Sequence, residues 1–362
     1  MTTLFDTVNT SIATLPNRIV MAPMTRARSD GDGLASASMA TYYAQRAGAG
    51  LIVSEGIWPS RLGQSNPMTP GLTTEAQVRS WRQVTSAVHA AGGRIVAQIQ
   101  HAGRLSHPDT TGQQPVGPSA VAARDVMMFT PAGPQPAPAP RALTTDEAAD
   151  EAASFGPAAR AAIEAGFDGV EVHGANGYLV SQFLASNANL RTDRYGGSVE
   201  ARTRFAVEAV AAAVEAVGAE RVGIRLSPGA GIQDAVDTDV TELYTTLLTR
   251  LSALGLAYVH LEEGTDEDTL LRLRDVWPGT LVMNPSVPTA TTPAGLDDAE
   301  RWLGHGADLI SFGRAFIANP ELVERLRTGS PLAVADDALY YMGGDDGYIT
   351  YPTSGGPAGL TA

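Results

Sequence analysis

The stretch Gly166-Phe-Asp-Gly-Val-Glu-Val-His-Gly-Ala-Asn-Gly-Tyr178 carries the pattern that decides the fold. Its valines alternate with polar residues, which predicts a strand with one apolar and one polar face. His173 and Asn176 follow three residues apart, so an imidazole N–H and an amide N–H could be aimed at one oxygen. Tyr178 adds a phenol that can give up a proton. Taken alone, His173 and Asn176 at this spacing would more often serve to satisfy the backbone of a loop.

Short apolar runs like this one alternate with amphipathic helical stretches along most of the chain. Eight such units favour a closed α/β barrel, a (β/α)8 TIM barrel, over an open doubly wound sheet. The predicted strands are Arg18–Met24, Gly50–Ser54, Arg94–Ile99, Gly169–His173, Val222–Ser227, Ala257–Leu261, Thr280–Asn284 and Leu309–Phe312. The clearest predicted helices are Thr74–Ala90, Thr145–Ala165, Ser198–Val217 and Thr238–Leu254.

Three segments lie outside the repeat. Leu4–Leu15 predicts a short hairpin that could close the bottom of the barrel. The long segment Arg104–Leu143 follows the third strand and includes Pro131–Pro140, a proline-rich stretch that can form neither a helix nor a central strand. We interpret it as a loop over the active face rather than a linker. The chain is then one domain, 1–362, with a tail at 340–362 that packs onto the barrel.

Composition narrows the possible functions. The 362 residues are 44% hydrophobic, carry a formal charge of −14 and contain no cysteine, and all 25 basic residues are arginine. Without lysine there is no Schiff-base chemistry, and without cysteine there is no disulfide, thiolate nucleophile or cysteinyl metal site. The charge disfavours nucleic acid, and no apolar run approaches the length of a membrane span. With no apparent leader sequence, a cytoplasmic location is expected.

Polar or small residues follow every predicted strand. Barrel enzymes carry their chemistry at this end of the strands, so these residues predict one shared site. Each of them alone could be a turn or a buried structural residue, but their common placement favours a functional role. They are Thr25, Gly56, Gln98, His173, Arg225, Glu262, Asn284, Gly313 and Arg314.

The last strand indicates a cofactor. Phe312-Gly-Arg314 leads into a predicted helix, and free backbone N–H groups beside a guanidinium favour an anion, which points to a phosphorylated cofactor. A metal site is the competing interpretation, because His173, His260 and Glu262 end predicted strands. No HxH or HExxH spacing occurs, so a complete ligand set is lacking.

The chain resembles the old yellow enzyme family of flavin-dependent ene-reductases. The motifs that carry the resemblance are Asn17-Arg-Ile-Val-Met-Ala-Pro-Met-Thr-Arg26, His173-Gly-Ala-Asn-Gly-Tyr-Leu179, Arg191-Thr-Asp-Arg-Tyr-Gly-Gly197 and Gly347-Tyr-Ile-Thr-Tyr-Pro352. The resemblance implies an FMN-binding barrel that uses NADPH or NADH to reduce activated alkenes. Because Thr25 stands where one branch carries cysteine, the chain is similar to the threonine type.

The resemblance also implies roles for individual residues. His173 and Asn176 would hold the electron-withdrawing oxygen of the substrate, and Tyr178 would supply the proton. The residues expected to contact FMN are Pro23, Met24, Thr25, Gly56, Gln98, Arg225, Asn284, Ser286, Gly313 and Arg314. The residues expected to contact the substrate are Thr25, Asn66, Gln100, His173, Asn176, Tyr178 and Tyr341.

The chain departs from the family pattern at three places. Asn66 stands where a tyrosine is usual and Gln100 where a tryptophan is frequent, which predicts a roomier and more polar pocket with Tyr341 as an aromatic wall. Asn284-Pro-Ser-Val-Pro288 replaces a glycine pair that usually offers N–H groups to the phosphate. The phosphate is then expected to rest on Gly313, Arg314 and a backbone N–H around Ser286.

Further expectations concern the interior and the ligands. Glu171 and Arg225 are predicted to pair inside the barrel, which would orient the guanidinium toward the flavin. The expected reaction is reduction of an α,β-unsaturated carbonyl compound, with hydride from flavin N5 to the β-carbon. Reduction of nitrate esters or nitro compounds is the alternative, and a non-catalytic FMN-binding or metal-dependent barrel is a more remote one. Phenols are expected as inhibitory ligands, and a monomer or homodimer as the assembly.

Overall fold

Eight parallel strands close into a barrel in the computed structural model, which describes residues 2–286 and 295–352. Neighbours in sequence are neighbours in the sheet, and β8 pairs with β1 to complete the ring. The predicted (β/α)8 fold is therefore confirmed, with strand bounds shifted by a few residues. The strands are β1 (Ile19–Met21), β2 (Leu51–Ile57), β3 (Ile95–Ile99), β4 (Gly169–Gly174), β5 (Val222–Leu226), β6 (Tyr258–Glu262), β7 (Leu281–Asn284) and β8 (Leu309–Phe312).

Helices surround the barrel and connect its strands. The predicted helix Thr145–Ala165 is wrong as a single element, since the chain breaks at Ser154 into two helices. Pro157, in the first turn of the second helix, has no N–H to continue the bonding of the first. The helices are α1 (Ala37–Ala44), α2 (Glu75–Ala90), α3 (Pro108–Thr111), α4 (Thr145–Ala153), α5 (Phe155–Glu164), α6 (Leu179–Leu184), α7 (Val199–Val217), α8 (Val240–Ser252), α9 (Glu267–Val276), α10 (Leu296–Gly304), α11 (Arg314–Ala318) and α12 (Leu322–Thr328).

Alternate residues of each strand face the helices or the barrel interior, as the period of a strand requires. Residues such as Val170 and Val172 belong to the large apolar cluster between strands and helices. A second cluster fills the lower interior and includes Val20, Val53 and Val96. Leu15, fully buried, joins this cluster from the N-terminal hairpin, in which Val8–Asn9 pairs antiparallel with Thr14–Leu15. The hairpin therefore closes the bottom of the barrel.

The upper interior of the barrel contains polar side chains, and Gly223 leaves the space that one of them, Tyr258, requires. A Cβ at Gly223 would lie 2.4 Å from the ring of Tyr258, so only glycine leaves room for that ring inside the barrel. The Tyr258 hydroxyl then donates a hydrogen bond to Glu171. A small residue on β5 thus allows a polar layer to form beneath the carboxyl ends of the strands.

The segment 104–143 contains a two-stranded hairpin of its own. Met127–Thr130 pairs antiparallel with Gly133–Pro136, so Pro134 and Pro136 lie in a short edge strand, where a missing N–H is tolerated. Met128 is buried with Leu105 in a small cluster that also contacts Tyr178. This hairpin therefore lies beside the carboxyl ends of the barrel strands, where the loop was expected.

Two arginines hold the C-terminal tail in place. Arg26 donates to the backbone carbonyls of Tyr340 and Gly347, and Arg28 donates to those of Leu339, Tyr340 and Gly344. The ring of Tyr348 stacks on Tyr42 at a centroid distance of 4.1 Å. The tail packs down as predicted over its described part, and residues 353–362 lie outside the described residues. No helix in 2–286 or 295–352 combines the length and apolar character needed to cross a bilayer.

Candidate active site

A cavity of about 450 Å³ opens at the carboxyl ends of the strands. Most of the residues expected at the site line it, and they come from the ends of five barrel strands and from the C-terminal tail. These are Pro23, Met24, Thr25, Gln98, Gln100, His173, Asn176, Tyr178, Arg225, Arg314 and Tyr341. Five further lining residues were not predicted from the sequence: Arg26, Ile232, Gln233, Ile317 and Tyr340.

His173 reaches the cavity from the end of β4 as a neutral imidazole. Burial, and then the nearby Arg225 guanidinium, lower the pKa of His173 to about 3. Its side chain is 4% exposed, and its Nδ1 is buried without a hydrogen-bond partner in the protein. A buried polar atom without a partner is costly, so it marks a position where a ligand atom would be favourable.

Asn176 presents its amide from a strained turn. Its φ is +57°, a left-handed conformation that asparagine adopts more readily than most residues. The backbone is fixed on both sides, since its N–H donates to the Ser227 hydroxyl and its carbonyl accepts from Gln233. The side-chain oxygen is buried and has no partner. Because the backbone bonds hold the turn, the amide is free to serve a ligand beside His173.

Tyr178 lies just before α6, and its hydroxyl belongs to a polar network. The side chains of Gln233, Ser65 and Gln100 lie near the phenol oxygen, where hydrogen bonding to it lowers the pKa of Tyr178. Burial raises the pKa of Tyr178, and these hydrogen bonds counteract part of that increase. The phenol therefore keeps its proton at neutral pH while partners stand ready to stabilise the oxygen when the proton leaves.

The cavity floor consists of Gln98 and Arg225, both nearly fully buried. Arg225 donates to the side-chain oxygen of Asn284 at 2.6 Å and to the carboxylate of Glu262 at 2.9 Å. Gln98 donates to Glu171 at 2.9 Å. The two cavity-facing side chains are thus fixed by hydrogen bonds to polar side chains of neighbouring strands.

The direct pairing predicted between Glu171 and Arg225 is wrong. Glu171 stands opposite Gly223 in the register of β4 and β5, whereas Arg225 stands opposite His173, one layer higher. His260 fills the space between them, with Nδ1 2.9 Å from Glu171 and Nε2 2.5 Å from Arg225. The two charged groups are linked through a histidine rather than to each other.

Several residues expected at the site lie away from the cavity lining. The backbone N–H of Ser286 donates to the Glu263 carboxylate at 3.0 Å, and a phosphate contact from a backbone N–H around Ser286 stays a prediction. Asn284 acts behind Arg225, as its oxygen accepts from the guanidinium. The replaced segment 284–288 is described only as far as 286, so 287 and 288 lie outside the described residues.

Gly56, Asn66 and Gly313 also sit beside the cavity lining rather than in it. A Cβ at Gly56 would lie 2.2 Å from the Gln100 side-chain oxygen, so the glycine makes room for that amide. Asn66 contacts the Ser65 hydroxyl at 3.4 Å. Gly313 immediately precedes Arg314 and approaches Met24, since a Cβ there would lie 3.6 Å from the Met24 sulfur. These three residues contact or make room for neighbouring side chains, and a direct ligand contact stays a prediction for each.

The chemistry of the lining suits FMN. A pyrimidine edge alternates carbonyl oxygens with N–H, and the Gln98 amide and Arg225 guanidinium can pair with such an edge. The exposed Arg314 lies at the rim, where a phosphate would meet a cation. Within 2–286 and 295–352, no group of three or more His, Asp or Glu side chains is placed to hold a metal ion. Fold and site together define a flavin-binding oxidoreductase of the barrel class.

Comparison with known proteins identifies the family. The family model described as "NADH:flavin oxidoreductase / NADH oxidase family" matches residues 3–333. A probable flavin mononucleotide-dependent alkene reductase of Leishmania infantum is 39% identical over 350 residues, which are 93% of this chain and 94% of that protein. A flavin oxidoreductase of Emericella nidulans is 37% identical over 384 residues, 96% of this chain and 97% of the relative.

Solved structures agree with these relatives. An old yellow enzyme homologue from Zymomonas mobilis superimposes with a TM-score of 0.92 at 39% identity, covering 97% of this chain and 99% of the other. Morphinone reductase in complex with tetrahydroNAD superimposes with a TM-score of 0.91 at 40% identity, covering 98% of both chains. The chain belongs to the NADH:flavin oxidoreductase family and, within it, to the old yellow enzymes. Its cofactors are FMN and a nicotinamide nucleotide, as the sequence predicted.

The lining residues that the sequence did not reveal depend on loop conformation or on contacts between segments far apart in the sequence. Ile232 and Gln233 lie in the loop after β5, where Gln233 has a φ of +55°. Arg26 was visible at the end of the first strand motif, but its partners lie more than 300 residues away in the tail. The aromatic pair Tyr340-Tyr341 was the one sign in the sequence that the tail reaches the site.

Proposed function

We propose that this protein uses bound FMN and NADPH or NADH to reduce the carbon–carbon double bond of α,β-unsaturated carbonyl compounds. The observation that carries the proposal is the arrangement of three groups in one cavity wall. A neutral His173, an Asn176 amide with a partnerless oxygen and a protonated Tyr178 face the same space. An alkene reductase and morphinone reductase among the similar proteins support this choice.

His173 and Asn176 would hold the carbonyl oxygen. Each can donate one N–H, and both are buried or partly buried, where such bonds are stronger than in water. Hydride for the β-carbon of the substrate would come from FMN when it is bound. As negative charge moves onto the carbonyl oxygen, the two donors stabilise the transition state more than the ground state. Because His173 is neutral, it binds the oxygen without transferring a proton to it.

Tyr178 would donate its proton to the α-carbon. Its ring lies next to His173, so an oxygen held by His173 keeps the adjacent carbon atoms within reach of the phenol. The resulting phenolate would be stabilised by the hydrogen bonds from Gln100, Gln233 and Ser65 before it regains a proton. A phenol placed in the same cavity would offer its oxygen to His173 and Asn176, and phenols are therefore proposed as inhibitory ligands.

Four residues would hold the cofactor. Gln98 and Arg225 line the cavity floor and can pair with the pyrimidine edge, and Arg314 at the rim suits the phosphate. Thr25 follows the first barrel strand and can offer its hydroxyl to the carbonyl edge. The nicotinamide donor and the substrate would use the same open side of the cavity in turn.

The proposal is tested with purified protein reconstituted with FMN. We expect flavin absorbance from a stoichiometric complex, bleaching by NADPH or NADH in the absence of oxygen, and return of the colour on addition of 2-cyclohexenone. Saturated cyclohexanone is the product to be detected. A protein that stays colourless after incubation with FMN, or reduced protein that 2-cyclohexenone fails to reoxidise, would contradict the proposal.

The Tyr178→Phe variant separates alkene reduction from reduction of nitro compounds on the same scaffold. We expect it to lose at least about 100-fold in the alkene half-reaction, since general acid catalysis is worth about 10² to 10⁴. Bleaching by NADPH and the reduction of a nitro compound should stay near the original rates. Equal loss in both acceptor reactions would instead indicate a positioning role for Tyr178.

A further inference from the structure

A cluster of buried polar side chains lies directly beneath the cavity floor. Glu171, His260 and Ser311 are fully buried, and Tyr258 is 2% exposed. They come from strands β4, β6 and β8, and none of them lines the cavity itself. Burial of so many polar groups costs free energy of folding unless each group has a hydrogen-bond partner. The partners of each group therefore indicate what this arrangement contributes to function.

Glu171 is the centre of this cluster because one carboxylate accepts three hydrogen bonds. Its Oε1 accepts from the Gln98 amide at 2.9 Å. Its Oε2 accepts from the Tyr258 hydroxyl at 3.1 Å and from His260 Nδ1 at 2.9 Å. Burial alone would raise the pKa of Glu171, but His260, Arg225 and the Gln98 bond bring it below its usual value. The group is therefore a carboxylate anion.

The partners of His260 define which nitrogen carries its proton. A carboxylate only accepts, so Nδ1 must donate to Glu171. A guanidinium only donates, so Nε2 must offer its lone pair to Arg225 at 2.5 Å. Burial, and then Arg225, lower the pKa of His260, which agrees with a neutral ring. Ser311 Oγ lies 2.8 Å from the same Nε2 and completes the surroundings of the ring.

We infer that Glu171 and His260 are positioning residues. They determine which hydrogen-bond donors and acceptors of the two cofactor-facing side chains, Gln98 and Arg225, are left for a ligand in the cavity. Glu171 forces the NH₂ of Gln98 toward the interior, which leaves its oxygen and one N–H for the cavity. Bonds to His260, Glu262 and Asn284 use three of the five guanidinium hydrogens of Arg225 and leave two for a ligand. One carboxylate thereby sets both contacts to a flavin pyrimidine edge.

The same arrangement predicts an effect on the flavin's reduction potential. Two-electron reduction adds negative charge at the pyrimidine edge, which Arg225 would stabilise. The Glu171 anion, linked to Arg225 through the neutral His260, offsets part of that positive charge. Removal of the Glu171 charge should then favour the reduced flavin and raise its midpoint potential. The inference concerns flavin binding only, so it does not depend on the alkene reaction.

The test compares Glu171→Gln and His260→Gln with a matched control, Glu151→Gln. Glu151 also faces a buried histidine, with its Oε2 3.4 Å from His101 Nε2, but neither residue lines the cavity. We expect Glu171→Gln to raise the midpoint potential of bound FMN. We expect both cluster variants to weaken FMN binding by about tenfold, the equivalent of one charged hydrogen bond. The Glu151→Gln protein should match the original in both measurements.

Potentials are measured on the FMN-bound fraction only, so a merely less stable variant would still show the original potential. An unchanged potential in Glu171→Gln, with FMN bound, would overturn the inference.

A third measurement uses the protein without substitutions, so it does not depend on whether a cluster variant folds well. In ¹⁵N spectra of the FMN-bound protein, His260 should show a protonated Nδ1 and an unprotonated Nε2 from pH 5.5 to 8. A doubly protonated ring, or a proton on Nε2, would contradict the proposed polarity.

Discussion

The imidazole of His173 and the phenol of Tyr178 lie 5.0 Å apart between ring centroids, with their planes inclined by 47°. The left-handed turn at Asn176, which lies between them in sequence, makes this approach possible. An oxygen-binding group and a proton donor therefore occupy one wall of the cavity. Because the two roles differ, the two residues should respond differently to pH and to substitution.

Binding of a non-ionising carbonyl ligand should be independent of pH from 5 to 8. With a pKa of about 3, His173 stays neutral throughout this range and would gain charge only in stronger acid. The Kd of 2-cyclohexenone for the oxidised FMN enzyme, followed by flavin absorbance, should vary less than about twofold. An inflection near pH 6.5 would show instead that His173 titrates normally. His173→Ala should weaken binding by about tenfold, since a buried hydrogen bond is lost.

Restoring the family's aromatic residues should narrow the pocket. Gln100 lies over Gly56 and lines the cavity, while Asn66 is one residue from Ser65, which bonds Tyr178. We expect the double variant Gln100→Trp, Asn66→Tyr to lose at least about tenfold in kcat/KM for a bulky 3-substituted cyclohexenone. The unsubstituted ring should lose clearly less, since for it only the Gln100 contact to Tyr178 is removed. Equal losses for both substrates would indicate a general disturbance of the site rather than a narrower pocket.

Much of the fold and of the site was predictable because it depends on local sequence. The alternation in β4 repeats in the other strands, and a barrel places all their carboxyl ends on one face. His173, Asn176 and Tyr178 lie within six residues, so their proximity needs no tertiary information. Identification of the flavin followed from such short motifs.

The remainder depends on contacts between distant segments or on exact register. The pairing of Glu171 and Arg225 failed because Arg225 stands opposite His173, two residues beyond Glu171 along the strand, and His260 lies between the two charged groups. No pattern in the sequence indicates that Gln233 turns into the cavity, since its positive φ is imposed by the loop. The break at Ser154 was visible in principle, because Pro157 stands three residues later.

The 104–143 hairpin and the C-terminal tail meet at the mouth of the cavity, and this contact should affect large substrates. The rings of Phe129 and Tyr341 lie 5.8 Å apart, and both residues are about half exposed. We expect Phe129→Ala to raise KM for a bulky enone about fivefold, since an aromatic pair is worth about 0.5–1.5 kcal/mol. Met127→Ala is the control, as Met127 is similarly exposed on the same strand. An effect of similar size in the control would refute a specific role for the ring pair.

Glu55 is a buried carboxyl group below the segment that leads into the cavity. One oxygen accepts from the backbone N–H groups of Arg26 and Ala27, whereas the other, Oε1, has no partner. Burial raises the pKa of Glu55 to about 7, although the backbone bonds and the Arg26 and Arg28 guanidinium groups act in the opposite direction. In the folded protein this group is therefore largely protonated up to neutral pH, whereas in the unfolded chain it ionises near pH 4.5.

This difference between the folded and unfolded pKa values predicts the direction in which the stability of the protein changes with pH. A raised folded-state pKa stabilises the protein fully below pH 4.5, and that contribution is lost as the pH rises through about 7. The loss amounts to a few kcal/mol, since each pKa unit is worth about 1.4 kcal/mol. Glu55→Gln, which cannot ionise, should therefore gain in Tm relative to the original protein between pH 5 and 8. Glu75→Gln on the exposed start of α2 serves as control, and its Tm difference should stay constant. A Glu55→Gln difference that is equally constant across this range would show that Glu55 ionises normally in the fold.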